Sequence, residues 1–280
     1  MKRFLILSDI DGTLINKQRE IGAETKRAIE RCLELGHRFA LATGRMHDAG
    51  RIVTQDLPYD GFLISCNGAY AQHLLTGEVL YSKPLNPESV RAITDICHRH
   101  GVYYHLYTPH IIVTEHRSMI AQRYADDMKT LAREFRFEVR FVDSKEELDA
   151  VAGELVVHKV GFWTADREQM KAITAEIAEL GEFATCQSYA TSFDVMAPGV
   201  SKALAIDALC AHYGIERAAV IAFGDNDNDV DMVRHAGHGV AMGDGSDALR
   251  AVADEITATS DEDGIALVLN RLFPGVSGCF

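Results

Sequence analysis

The sequence predicts an α/β protein built on a doubly wound parallel sheet, with an α+β segment inserted into it. Three observations predict this. Short apolar runs alternate with helical segments near the start of the chain and again after about residue 200. Each run ends in small polar or acidic residues. Between 84 and 195 the alternation gives way to hairpins and strands in mixed order.

The first run, Phe4-Leu5-Ile6-Leu7-Ser8, reads as a strand buried on both faces, and it breaks at Asp9-Ile10-Asp11-Gly12-Thr13. A helix over Ile21 to Leu35 carries Ile29, Cys32 and Leu33 on one face and stops at Gly36. Arg38 to Ala42 is a second strand, ending at Thr43-Gly44-Arg45, and Phe62 to Ser65 is a third, ending at Cys66-Asn67-Gly68-Ala69. Lys83-Pro84-Leu85-Asn86-Pro87 reads as a linker into the insert, where a helix runs through His100. Tyr103 to Tyr107 and Ile111 to Thr114 flank a turn as a hairpin; a strand over Leu155 to Trp163, a helix over Asp166 to Leu180 and a strand over Phe193 to Met196 follow. The alternating pattern returns with a helix from Lys202 to about Tyr213 and the strand Ala219 to Phe223, which ends in Gly224-Asp225-Asn226-Asp227-Asn228-Asp229. A short strand at Gly239 to Met242 and a helix from Gly264 close the sheet.

At 280 residues the chain has room for one large domain or two. Its 47% hydrophobic and 25% charged content is ordinary for a soluble globular protein, and no apolar run is long enough for a membrane span or a signal peptide. A formal net charge of −13 argues against a broad nucleic-acid surface, which would be basic. Six scattered cysteines (Cys32, Cys66, Cys97, Cys186, Cys210, Cys279) with no Cys-x-x-Cys read as reduced and structural, consistent with a cytoplasmic chain.

The polar residues at the strand ends form a constellation. Asp9, Asp11, Asp225 and Asp229 are carboxylates that burial penalises unless a cation or a proton lies among them. Such carboxylates suit Mg²⁺, a hard ion that takes oxygen ligands. The Thr43 hydroxyl, the Lys202 ammonium and N–H groups at loop-to-helix turns suit a phosphate group. A carboxylate beside a metal is also able to attack phosphorus.

These motifs, in this order, resemble the haloacid dehalogenase superfamily of phosphotransferases, and within it the Cof-type phosphatases. Asp9-Ile10-Asp11-Gly12-Thr13 matches the first motif, Ala42-Thr43-Gly44-Arg45 the second, Lys202 the third and Gly224-Asp225 through Asn228-Asp229 the fourth. Ser65 to Ala69 and Gly239 to Gly243 are similar to further signatures of that branch. The resemblance implies a Rossmann-like core of residues 1–83 and 196–280, with 84–195 as an α+β cap that sets substrate specificity. It implies a Mg²⁺-dependent phosphatase for small phosphorylated metabolites, such as sugar phosphates or pyridoxal phosphate, working through an aspartyl-phosphate. Asp9 would be the nucleophile and a metal ligand. Asp11 would be the general acid and base, its backbone carbonyl on the metal. Ile10 (backbone), Thr43, Gly44, Lys202 and Asn228 would hold the phosphoryl oxygens, while Asp225 would complete the metal site, with Asp229 either a direct ligand or a support behind the ligands. The protein would be a monomer or small homo-oligomer without nucleic-acid or membrane partners. A phosphomutase sharing the same motifs is the alternative, and a non-catalytic phosphate or metal sensor a more remote one.

Two departures stand out: Ala203 where glycine usually follows the lysine, and Asp244-Gly245 where Asn-Ala is common. Asp227 reads as a solvated turn residue and Trp163 as strand packing. Arg45 and His47 face the cap as substrate contacts or a surface ion pair. His98, His100, His105, His110 and His116 lack a recurrent metal-ligand spacing. Loss of Lys202 is expected to damage catalysis while leaving stability level or higher.

Overall fold

The computed structural model describes residues 2–57, 59–115 and 119–274. The chain begins with β1 (Leu5–Ser8), α1 (Ala23–Glu34), β2 (Arg38–Ala42), α2 (His47–Arg51), β3 (Phe62–Ser65), β4 (Tyr70–His73) and β5 (Val79–Ser82). The segment that follows holds α3 (Pro87–Arg99), β6 (Tyr103–Tyr107), β7 (Ile111–Thr114), α4 (Met119–Thr130), β8 (Glu138–Phe141), α5 (Lys145–Glu154), β9 (Lys159–Trp163), α6 (Arg167–Glu179), β10 (Ala184–Tyr189) and β11 (Ser192–Met196). The chain returns through α7 (Lys202–Tyr213), β12 (Val220–Gly224), α8 (Val230–His235), β13 (His238–Ala241), α9 (Asp247–Arg250), β14 (Glu255–Ile256) and α10 (Gly264–Leu272).

Two sheets result. The first runs β14-β13-β12-β1-β2-β3-β4-β5, parallel from β14 to β3. β1 is apolar throughout because both its faces are covered. Leu5 and Leu7 pack with Ala205, Ile206 and Leu209 of α7, while Ile6 belongs with Ile29 of α1 and Leu269 of α10. From β1 the chain winds outward through β2 and β3, and later outward on the other side through β12, β13 and β14. The carboxyl ends of β1, β2 and β12 therefore meet at the point where the winding direction reverses, the place where such sheets bind ligands.

The sheet is mixed rather than wholly parallel. β4 and β5 form an antiparallel hairpin on its edge that the sequence reading did not contain. Their four-residue runs are only half buried, so they lack the apolar signature of the inner strands.

The second sheet runs β10-β11-β9-β6-β7-β8. One face carries Tyr104, Leu106, Val160, Phe162 and Val195 and joins the apolar side chains of α3 and α6. The opposite face follows from the pleat: Tyr103, His105 and Tyr107 on β6 stand beside Trp163, Gly161 and Lys159 on β9, with Ser192 and Asp194 on β11 alongside. Tyr107 and Met196 from this face join Met46, Ala49 and Cys66 of the first unit in one cluster.

Four of the described histidines, His37, His47, His105 and His158, are buried, and burial lowers the pKa of each. Burial pushes His47 and His158 down to about 4 and His105 down to about 3. His158 Nδ1 lies 3.0 Å from the Val156 carbonyl and Nε2 lies 2.8 Å from Ser82 Oγ, which a neutral ring satisfies as donor and acceptor respectively. A histidine with a depressed folded pKa contributes full stability above its unfolded value of about 6.5, and loses it as pH falls toward the folded value. Between pH 7 and pH 5 each of His47, His105 and His158 should remove about 2 kcal/mol. We therefore expect urea unfolding of His158→Gln to lose less stability over that interval than the unsubstituted protein, by about that amount. Parallel pH dependences would show that His158 is not held neutral.

Candidate active site

At the end of β1 the chain turns back on itself, and the N–H groups of Leu14 and Ile15 both donate to the Ile10 carbonyl, at 3.0 and 2.9 Å. Gly12 permits the turn, with φ of +85°, and a Cβ there would lie 2.5 Å from Asp225 Oδ2. Asp9 and Asp225 are thus delivered side by side, because β1 and β12 are parallel neighbours with Ser8 opposite Phe223. Asp225 is steadied by the Thr13 hydroxyl, which donates to its Oδ1 at 2.8 Å. Behind it, the Ser246 N–H donates to the Asp225 carbonyl at 2.8 Å, so the loop through Asp244 and Gly245 packs against the Asp225 backbone.

Oxygen atoms of Asp9, Asp225 and Asp229 lie within 4.8 Å of one another. Lys202, at the start of α7, is fully buried and donates to Asp9 Oδ1 at 2.5 Å and to Asp229 Oδ1 at 2.6 Å. Asp229 Oδ2 accepts the N–H groups of Asp225 and Asn226, each at 3.1 Å. Burial is the main reason the Asp9 carboxyl is held well above the usual range; Lys202 opposes this, and Asp229, Asp225 and Asp11 add to it. Burial and then Asp229 push Asp225 up to about 7. Burial pulls the Lys202 ammonium down, but Asp229 and Asp9 hold it above its ordinary value. Three carboxylates against one ammonium leave two unbalanced negative charges, which is the charge and donor set that a divalent cation fits. Ala203 lies inside α7 without disturbing it.

The burial of Lys202 also reverses an expectation about stability. Its removal would strand buried carboxylates, so the variant should be less stable than the parent, not level with it.

A cavity of about 920 Å³ opens above these groups. Asp9, Asp11, Thr43, Gly44, Asp225 and Asn228 line it from the first unit. Lys202 and Asp229 lie beneath the surface, and the Ile10 side chain is wholly in the core, leaving only its backbone to serve the site. Asp11 is the exposed member; Arg45 grips it with Nε at 2.7 Å from Oδ2 and Nη2 at 2.5 Å from Oδ1. Arg45 is thus half of an ion pair inside the cavity, whereas His47 is buried against Tyr70 and His110 and does not line it. Asp227 is exposed in its turn.

Lys159, Trp163 and Asp194 of the second sheet also line the cavity, and the sequence reading did not place Lys159 or Asp194 there. The available signal was a charged residue at an alternating position within each of two apolar strand runs. Trp163 packs on Tyr103 and His105 and presents part of its surface to the cavity. His98 pairs with Glu115, His100 with Glu176 and His110 with Asp48, and none of them lines the cavity; His116 lies outside the described residues. Among the described residues, Asp9, Asp225 and Asp229 are the cluster able to hold a metal ion. The described cysteines are free; Cys279 lies outside the described residues. No helix among the described residues is long and apolar enough to cross a membrane.

Comparison with known proteins agrees with this geometry. The chain is 29% identical to the 5-amino-6-(5-phospho-D-ribitylamino)uracil phosphatase YitU of Bacillus subtilis, over 97% of this chain and 98% of that protein. It is also 29% identical to the pyridoxal phosphate phosphatase YbhA of Escherichia coli, over 94% and 96% respectively. The crystal structure of a haloacid dehalogenase-like hydrolase from Bacteroides thetaiotaomicron superposes with a TM-score of 0.83 at 29% identity, covering 97% of this chain and all of the other. The model of the haloacid dehalogenase-like hydrolases matches residues 6–269, and the chain belongs to that family.

Proposed function

We propose that the protein is a Mg²⁺-dependent phosphatase that hydrolyses small phosphorylated metabolites through an aspartyl-phosphate. The observation that carries this reading is the set of three carboxylates and one buried ammonium at the switch point of the sheet. The similarity to phosphatases acting on a phosphoribitylaminouracil and on pyridoxal phosphate supports the small-substrate class. In this reading residues 84–195 act as a cap that shapes the leaving-group side of the cavity.

Asp9, Asp225 and Asp229, with the Asp11 carbonyl, would hold the Mg²⁺. When bound, the ion neutralises charge on the phosphoryl oxygens. Asp9 Oδ1 is fixed by Lys202, so its other oxygen is the one free to attack phosphorus in line. The bond from phosphorus to the leaving oxygen breaks, and Asp11 supplies that oxygen with a proton. Water then attacks the aspartyl-phosphate and gives a proton to Asp11, restoring Asp9. Arg45 binds both carboxyl oxygens of Asp11 and so fixes its orientation. Lys202, Thr43, the Gly44 turn, the Ile10 backbone and Asn228 would hold the phosphoryl oxygens, so catalysis is positioning and electrostatics.

Hydrolysis of a phosphomonoester panel should stop in excess EDTA and return with added Mg²⁺; undiminished turnover in EDTA would remove the metal from the proposal. Lys202→Met should lower kcat/KM by on the order of 10²–10³, and should also lower the melting temperature of the metal-free protein. A melting temperature equal to that of the parent would contradict the buried ion-pair argument. Asp11→Asn should separate the half-reactions. With p-nitrophenyl phosphate, whose phenolate leaves unaided, it should release up to one equivalent and stall as acid-trapped phosphoenzyme. With an alkyl phosphate it should be nearly inert from the start. Equal slowing on both, with nothing trapped, would favour direct attack by water.

A further inference from the structure

A buried ion pair of the second sheet reaches the phosphate-binding turns of the first. Lys159 on β9 and Asp194 on β11 are 5% and 8% exposed. The Lys159 ammonium donates to Asp194 Oδ2 at 2.9 Å and to the Gly44 carbonyl at 2.9 Å, and it stands 4.4 Å from the centre of the Tyr107 ring. The same Asp194 oxygen accepts from Asn67 Nδ2 at 3.0 Å, and Asn67 Oδ1 accepts from Asn228 Nδ2 at 3.0 Å. Gly161 lets these groups converge, because a Cβ there would lie 2.9 Å from Asp194 Oδ1.

Asn67 is the point where the contacts join. It and Cys66 both adopt left-handed backbone, with φ of 55° and 50°, a strained arrangement that persists only where its surroundings hold it. Its amide oxygen presses on the Gly44 turn, where a Cβ would lie 2.9 Å away. The next residue, Gly68, sits against the carbonyl of Ser201, immediately before Lys202. A buried ion pair is weak evidence for stability by itself. This one joins two sheets, and its hydrogen-bond partners outside the pair, Gly44 and Asn67, belong to the turns after β2 and β3.

We infer that Lys159 and Asp194 are positioning residues for phosphoryl transfer. Lys159 fixes the Gly44 peptide, and Asp194 fixes the Asn228 amide through Asn67. The phosphate cradle therefore reaches its working geometry only with the second sheet seated on the first. The inference rests on the phosphatase reading above and extends it to residues that never touch the reacting atoms.

The test is steady-state turnover of p-nitrophenyl phosphate with Mg²⁺, inhibition by orthovanadate, and thermal melting, for Lys159→Met, Lys159→Arg, Asp194→Asn, Asp194→Glu and Asn67→Ala. We expect kcat to fall about 10- to 100-fold in Lys159→Met and Asp194→Asn, with KM changing less than about threefold and orthovanadate inhibition weakening in parallel with kcat. Asn67→Ala combined with Asp194→Asn should be no worse than the poorer single variant, because both cut the same connection. Asp194→Glu keeps the charge pair and the fold but shifts the carboxylate by one methylene, so it too should lose kcat, while Lys159→Arg should recover part of what Lys159→Met loses. A kcat within twofold of the parent in Asp194→Glu, a loss confined to KM, or strict additivity of the Asn67 and Asp194 substitutions would overturn the positioning role. Turnover by the unsubstituted protein tests the phosphatase reading, and the ratio of variant to parent tests the positioning role, so the two fail separately. An unsubstituted protein inert toward every phosphomonoester would overturn both.

Discussion

The crowding of Asp9, Asp225 and Asp229 around the ammonium of Lys202 is the constraint on which the rest of the structure depends. Backbone geometry imposes it. Parallel pairing of β1 with β12 brings their carboxyl ends out side by side, and a loop folded against its own N–H groups places Asp229 below. One cation cannot balance three carboxylates at this depth, so Asp9 and Asp225 are held far from their ordinary acidity. The same imbalance suits the pocket to a divalent cation. Functional sites commonly hold such unfavourable arrangements, with the surrounding fold keeping them in place.

The second sheet makes this charged floor into a cavity. Its two faces differ in kind. One is aliphatic and aromatic and is covered by α3 and α6; the other carries histidine, tyrosine, tryptophan and a lysine–aspartate pair toward the first unit. A largely antiparallel sheet with one face in its own core leaves the other free to be shaped by ligand or partner. Here that face closes over the strand ends at a height that leaves about 920 Å³, enough for a metabolite-sized leaving group.

Asp11 and Asp9 are two residues apart in the chain but live in different surroundings. Asp9 is buried among other carboxylates, while Asp11 is exposed and held by a guanidinium. That difference suits the two tasks proposed for them, nucleophile for Asp9 and proton donor and acceptor for Asp11. Only Ile10, buried in the core, lies between them, and the turn permitted by Gly12 follows Asp11.

By itself the sequence determined the inner strands, the helices that cover them, the turn after each strand and the chemistry of the residues placed there. These are local matters: β1, β2, β3 and β12 are apolar because both faces are buried, and a strand that ends in Asp-Ile-Asp-Gly-Thr must put its carboxylates at the rim. Local pattern did not reveal the β4–β5 hairpin, whose half-buried edge strands carry little apolar signal. Nor did it reveal that Lys202 is wholly buried, that Arg45 grips Asp11, or that Lys159 and Asp194 reach Gly44 and Asn67. Those contacts join residues 193, 34, 115 and 127 positions apart. Only strand order, register and the seating of one sheet on the other decide which distant side chains meet, and no window of sequence contains that information.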